Sequence, residues 1–264
     1  MTLHQLPIAK KERVIIVGAG IGGLAASLRL SHMGYNVKVF ETAQTGGGKL
    51  RTITGQTGEI DIGPTVLTLL PVFQNLFKSV GEDIFEHVEL VRQKIIARHW
   101  WPDGETLDLY DDFETSRDAI LNFSGSDSAK EFEKYFYDTR DLFSCFDIPV
   151  MRNPNPSMLD MNRAVLNNPK ILFKMHPLRT LSSLLNYKFR DSRLQQLFGR
   201  YSTYVGGSPL ESPALLSLIW QAEARGVWSI KGGMKKLARV LEKLANDRGA
   251  SFHYSTEVKE LNIK

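Results

Sequence analysis

The chain has 264 residues, a hydrophobic content of 42% and a net charge of +4, ordinary values for a globular protein of one large domain or two smaller ones. It contains no run of eighteen apolar residues, so no membrane-spanning helix is expected. Its single cysteine, Cys145, excludes an internal disulfide and fits a reducing compartment, and no cluster has zinc or iron–sulfur spacing.

Met1 to Glu12 reads as a short flexible lead. Lys10, Lys11 and Arg13 precede an apolar stretch, as in a secretory signal, but the glycines within Gly18 to Gly23 and then Arg29 interrupt it. No clear small-residue cleavage site follows. Arg13 to Val17 is a strand-like run that enters Gly18-Ala19-Gly20-Ile21-Gly22-Gly23. Leu24, Ala25, Leu28 and Leu30 then give a helical face that stops at Gly34. A second strand, Val37 to Phe40, ends in Glu41, 18 residues past Gly23. Strand, turn, helix, strand and acid in this order form a site for the ADP half of a dinucleotide. Gly18 permits the tight turn, Gly20 lets backbone approach the pyrophosphate, and Gly23 lets the helix lie close on the strand. The helix N-terminus offers unpaired N–H groups to the diphosphate, and Glu41 is placed to accept from the ribose hydroxyls.

Thr42 to Pro64 carries Gly46, Gly47, Gly48, Gly55, Gly58 and Gly63, a density that suggests backbone wrapped closely on a ligand. Val66 to Val80 has a helical pattern with Pro71 as a local break. Val88 to Arg92, Ile95 to Trp101 and Thr106 to Tyr110 read as strands, the last two joined by a turn at Pro102-Asp103-Gly104-Glu105. Ser116 to Phe123 and Lys130 to Phe146 read as helices, the second with Phe132, Phe136, Thr139 and Phe143 on one face. Cys145, among Leu142, Phe143 and Phe146, reads as a small core residue. Pro149, Pro154 and Pro156 mark a loop. The chain then looks mostly helical to Ala224, with Ser212-Pro213 as an N-cap and N1 pair. Gly232-Gly233 opens a helix striped by Leu237, Val240, Leu241 and Leu244 and stopped by Gly249. Phe252 to Tyr254 and Val258 to Ile263 read as strands. This divides the chain into a nucleotide-binding part at 13–110, a helix-rich part at 111–225, and a return to the first at 226–264. Because the sequence ends on a returning strand, a C-terminally truncated product or fragment is expected.

Charge is unevenly placed. Arg163 to Arg193 holds Arg163, Lys170, Lys174, Arg179, Lys188, Arg190 and Arg193 against Asp191 alone, interleaved with apolar residues such as Leu166, Phe173 and Leu178. Such a stretch either lies in a membrane interface or is a solvated helix face over an ordinary core. Nucleic acid is not expected as a partner, since no binding motif accompanies the charge.

Gly47-Gly48-Lys49-Leu50-Arg51 and Asp61-Ile62-Gly63-Pro64-Thr65 join the N-terminal pattern to make a more specific match. So do Phe198 to Pro209 and Gly226-Val227-Trp228-Ser229-Ile230-Lys231-Gly232-Gly233-Met234. Together these resemble the FAD-dependent carotenoid (phytoene) desaturase family. Gly63 to Val66 and Met234 look like its hydroxycarotenoid 3,4-desaturase branch. The resemblance implies an α/β fold, a Rossmann-like FAD-binding domain with a doubly wound parallel sheet and an inserted helix-rich substrate region. It also implies that Gly18, Gly20 and Gly23 contact the pyrophosphate and Glu41 the ribose. By the same resemblance Lys49 and Arg51 neutralise phosphate or approach the flavin, Gly63, Pro64 and Thr65 line the isoalloxazine, and the Val258 backbone holds adenine. Family members are longer, and the glycine-rich segment that completes their flavin site is absent from this sequence.

The implied reaction is desaturation of a polyene by hydride transfer to flavin. It leans on positioning rather than on side-chain chemistry, and none of His4, His32, His87, His99, His176 and His253 lies in a catalytic motif. The implied partners are a carotenoid and, through 163–193, the surface of a membrane, with the protein cytoplasmic and peripherally attached. Amine oxidation by a related flavoenzyme, and a non-catalytic nucleotide-binding fragment, are the alternatives.

Overall fold

A computed structural model describes residues 12–262. Along the chain it shows β1 (Arg13–Val17), α1 (Ile21–His32), β2 (Asn36–Phe40), β3 (Thr52–Gly55), β4 (Gly58–Asp61), α2 (Leu70–Lys78), α3 (Ile84–His87) and β5 (Leu90–Arg92). There follow β6 (Ile95–Trp100), β7 (Thr106–Tyr110), α4 (Phe113–Phe146), α5 (Met158–Asn167), α6 (Ile171–Met175), α7 (Leu181–Lys188), α8 (Ser192–Gly199) and α9 (Gln221–Ala224). The chain closes with β8 (Trp228–Ile230), α10 (Lys235–Asn246) and β9 (Ser251–His253). The lead before Glu12, with His4, and Ile263 at the other end lie outside the described residues.

Two compact units result, one running to Arg92 and resuming at Trp228, the other spanning Gln93–Val227. The boundary differs from the 110/111 division drawn from sequence. Leu107 and Leu109 of β7 are buried in the aromatic core of the second unit, so the β6–β7 hairpin belongs there. The return begins at Trp228, because β8 pairs antiparallel with β5.

The first unit is built on a parallel sheet of order β1-β2-β9. Val14 and Ile16 of β1, Val37 and Val39 of β2 and Phe252 of β9 share one core with Leu24 and Leu28 of α1 and Leu237, Leu241 and Leu244 of α10. Strand alternation sends Ile15 and Val17 the other way, where they are 56% and 54% exposed. α1 ends in a Schellman motif. Gly34 takes φ +91°, its N–H donates to Ser31 and that of Tyr35 donates to Leu30. Gly249, φ +91°, follows α10, and the Ala250 N–H returns to Ala245.

Three local expectations are corrected in this unit. Pro71 does not break a helix; it occupies the first turn of α2, where its missing N–H has no intrahelical partner to lose, and before the helix Leu67 bridges Trp228 and Leu69 turns the chain at φ +51°. The strand expected from Val258 is not formed within the described residues. Ser255 turns the chain at φ +52°, and the Ser255 and Thr256 amides donate to Ala43 and Glu41, leaving the next residues without a ladder partner. The 42–64 glycines also prove partly internal. A Cβ on Gly47 would stand 2.6 Å from the Leu50 carbonyl oxygen, and one on Gly63 1.9 Å from that of Lys49.

The second unit is helical around stacked aromatics. Phe189 and Phe198 lie 5.2 Å apart and Tyr135 and Phe198 4.8 Å, with Phe132 and Trp220 buried beside them. Phe132, Thr139 and Phe143 are buried along α4, as their spacing predicts. The two helices read between Ser116 and Phe146 are continuous in α4 except at Gly125, whose φ of +85° interrupts the helical path. Pro213 itself takes the capping position of a 3-10 segment at Ala214–Trp220, one residue later than the sequence suggested. Cys145 is half-buried, its thiol donating to the Ala164 carbonyl, and burial pushes its pKa up. No helix of the described residues is long and apolar enough to cross a membrane.

Candidate cofactor site

The N-terminal turn is held by backbone on backbone. The Gly18 N–H donates 2.7 Å to the Phe40 carbonyl, which pins the end of β1 to the end of β2. Gly18 takes φ +96°, a conformation that penalises any side chain. A Cβ on Gly23 would stand 2.0 Å from the Gly18 carbonyl oxygen, so that glycine is required by helix-on-strand packing. Gly20 and Gly22 differ. A Cβ on either would meet no protein atom within 4 Å, and Gly20 has φ −69°. Neither packing nor φ demands glycine at position 20, which leaves close approach of something outside the chain as the reason for it. α1 opens there with no side-chain cap and no acidic residue in its first turn, so its positive end is unneutralised by its own sequence. These features fit a diphosphate.

Glu41, at the end of β2, carries more than the sequence suggested. One carboxylate oxygen accepts from the Ala43 N–H at 2.9 Å and the other from the Ala19 N–H at 2.7 Å. These backbone donors, Ala43 first and Ala19 second, hold its pKa below the ordinary value. Glu41 thus fixes the glycine turn itself, and its oxygens keep further lone pairs for a ribose hydroxyl. The Glu41 N–H donates to His253 and the Glu41 carbonyl accepts from Thr256. The strand-end corner is thereby tied to the segment bearing Val258, which is half-buried and whose backbone has no backbone partner among the described residues.

The glycine-rich stretch closes on the same turn. Gly47 donates to Ala19 at 2.8 Å, and a Cβ on Gly48 would stand 3.0 Å from the Gly20 Cα. Arg51 and Ile62 are joined backbone to backbone, and Gly63 touches the Lys49 carbonyl. Lys49, Arg51, Gly63, Pro64 and Thr65 therefore lie together in the first unit, all exposed, and neither Lys49 nor Arg51 is engaged in an ion pair among the described residues.

Sequence reasoning overlooked Asp61. Its Oδ2 accepts from the Met234 N–H at 2.8 Å at the start of α10, while Oδ1 is buried without a partner. A Cβ on Gly233 would crowd this carboxylate at 3.0 Å, which accounts for the second glycine before Met234, while Gly232 takes φ +90°. Glu223 was also overlooked. It is buried in the second unit and accepts from Arg200 at 2.6 Å, from Tyr201 at 2.7 Å and from Tyr204. That network is the physical content of the 198–209 motif. His99, whose Nε2 is buried without a partner, is held down to a pKa of about 4 by burial and then by the Arg200 charge. The signal for Glu223 was an acid in an otherwise apolar run, visible only once its partners are known.

Residues 21–263 match the family of flavin-containing amine oxidoreductases. The chain is 43% identical over 94% of its length to a hydroxyneurosporene desaturase of Cereibacter sphaeroides, covering 50% of that protein. It is 41% identical over 94% of its length to that of Rhodobacter capsulatus, again covering 50%. The chain thus spans about half the length of the curated relatives it matches. A solved oxidoreductase from Methanosarcina mazei superposes with a TM-score of 0.63 at 18% identity, over 96% of this chain and 53% of that one, which shows a shared fold. On these matches the chain belongs to the flavin-containing amine oxidoreductase family.

Proposed function

We propose that this chain is the FAD-holding part of an oxidoreductase that desaturates a carotenoid by hydride transfer to flavin. The cofactor of the family is FAD. The observation that carries the reading is the glycine turn. Gly23 is required by the fold, whereas a Cβ on Gly20, at the N-terminus of α1, would meet no protein atom within 4 Å. Gly18, Gly20 and Gly23 would hold the pyrophosphate and Glu41 the ribose, with the Val258 backbone at the adenine. Lys49 and Arg51 would meet phosphate or flavin, and Gly63, Pro64 and Thr65 would line the ring. Bound there, FAD supplies the two-electron acceptor.

The chain's residues contribute placement. Glu41 keeps the amides of the turn aimed by gripping Ala19, and Asp61 fixes the start of α10 against β4. We assign no side chain as a catalytic acid or base. The substrate class rests on the names of the similar desaturases. A carotenoid dissolves in lipid, so the protein would work peripherally at a membrane, reached through the 163–193 region.

The test has two arms. A polypeptide of the relatives' length carrying this segment is mixed with FAD, desalted and scanned for retained flavin absorbance; a colourless product refutes the cofactor site. The same polypeptide is then offered hydroxylated carotenoids, phytoene and simple amines. Turnover of amines alone places it with amine oxidation instead, and flavin binding without turnover of any substrate refutes the enzyme reading.

A further inference from the structure

Most of the basic residues that look free in the sequence of 163–193 are paired in the fold. Of the seven basic residues between Arg163 and Arg193, Lys174 pairs with Asp138 and Asp141, Lys188 with Asp138, Arg190 with Asp127 and Glu131, and Arg193 with Asp191. The second half of the stretch also turns inward, burying Leu181, Leu184, Leu185 and Phe189. What remains outward is shifted upstream. Ile148 is 76% exposed, Leu159 75%, Leu166 77%, Phe173 79% and Leu178 99%.

α5 shows the pattern most clearly. Its ten residues bury none of their side chains. Met161, Ala164 and Val165 are half-buried on one side, where the Ala164 carbonyl accepts from Cys145. The other side carries Leu159, Arg163 and Leu166 at helical i, i+4, i+7 spacing. A helix this short draws little stability from its own hydrogen bonds and depends on covering an apolar face. Its capping box, Ser157 with Asp160, secures one end only. α6 is split alike, with Ile171 and Met175 buried and Leu172 and Phe173 outward. Arg163, Lys170 and Arg179 are exposed around these apolar side chains and form no salt bridge to a carboxylate among the described residues, Arg179 lying over the Tyr187 ring.

We propose that the 148–178 surface of the second unit inserts into a lipid bilayer interface, driven mainly by Leu159, Leu166, Phe173 and Leu178. Arg163, Lys170 and Arg179 snorkel to anionic headgroups and add a smaller, salt-sensitive part. Exposed apolar patches of this kind mark interaction sites, and cations at the rim complement phosphate rather than a second apolar chain. This sharpens the membrane reading given above and rests on it, but vesicle binding is measured without flavin or polyene, so either can fail alone.

The experiment is flotation of the 264-residue chain with phosphatidylcholine vesicles and with vesicles containing phosphatidylglycerol, at low and high salt. Binding to both is expected, stronger to the anionic ones. Leu166→Ser with Phe173→Ser and Leu178→Ser should lower partitioning to both on the order of 100-fold. Arg163→Gln with Lys170→Gln and Arg179→Gln should remove only the anionic preference, about fivefold per cation. Circular dichroism checks that the variants fold, and Leu159→Ser alone serves as a milder variant. Absence of flotation, binding confined to anionic vesicles and abolished by salt, or a lipid-free dimer dispersed by the same three apolar-to-serine changes would each overturn the proposal.

Discussion

Replacing Glu41 separates two jobs that one side chain performs. Its carboxylate accepts from the Ala19 and Ala43 amides at 2.7 and 2.9 Å. Hydrogen bonds to an ionised acceptor are worth about 1.5–3 kcal/mol each, and partial exposure reduces that, so Glu41→Ala should cost about 2 kcal/mol. In a protein of this size that lowers Tm by roughly 4–8 °C. Glu41→Gln retains one acceptor oxygen and turns an NH2 group toward the other amide, so it should lose at least half as much. The pH dependence has a fixed sign. Because the folded pKa lies below the unfolded one, the stabilisation is complete above the ordinary glutamate range and vanishes as pH falls through the folded value. The assay is urea or thermal unfolding of the flavin-free chain at pH 7 and at successively lower pH. Equal midpoints for wild type and Glu41→Ala at pH 7 would refute the positioning role. So would a gap between wild type and Glu41→Gln that persists unchanged under acid conditions.

The two glycines of the turn should respond oppositely. Gly20→Ala should leave the unfolding midpoint of the flavin-free chain within about 1 kcal/mol and yet abolish FAD retention, whereas Gly23→Ala, facing the Gly18 carbonyl at 2.0 Å, should lower both. Glu223→Ala should destabilise the second unit by about 3–5 kcal/mol, read by denaturant unfolding, because Arg200 would remain as a partly buried charge without its partner. His99 is neutral in the fold at pH 7. With a folded pKa of about 4 against 6.5 unfolded, the unfolded chain binds the extra proton between those values, so stability should decline as pH drops from 6.5 toward 4. A His99→Gln variant should show a flatter profile over that window.

What could be read from the sequence was what the chain specifies locally. Gly18, Gly23 and Gly34 announce themselves because each meets a backbone demand within a few residues or at the adjoining strand. The strand, helix and strand around them followed from apolar period alone. β7 and the Pro102–Glu105 turn were legible for the same reason, the Asp103 carboxylate accepting from the Glu105 N–H within the turn. Roles that depend on distant partners were hidden. Asp61 meets Met234 across 173 positions, and Glu223 meets Arg200 and Tyr204, both in a 3-10 segment at Arg200–Val205, across 23 and 19 positions. Charge was the most misleading signal, since Lys174 and Lys188 look free in sequence and are spent on Asp138, which lies far upstream on α4.

The distinction bears on how glycine motifs are weighed. A glycine whose Cβ would strike the protein reports on the fold, and its presence is explained without any ligand; Gly23, Gly47 and Gly63 are of this kind. A glycine with ordinary φ and empty space before it has no such explanation, and of the triad Gly18, Gly20 and Gly23 it is Gly20 that meets both conditions, at a helix N-terminus. Glycine-rich spacing alone cannot separate the two classes, because both look the same in a string of letters. The case for a bound diphosphate therefore rests less on the triad than on its middle member. The sharpest measurement is accordingly the one that fills the space before Gly20 while leaving the packing at Gly23 intact.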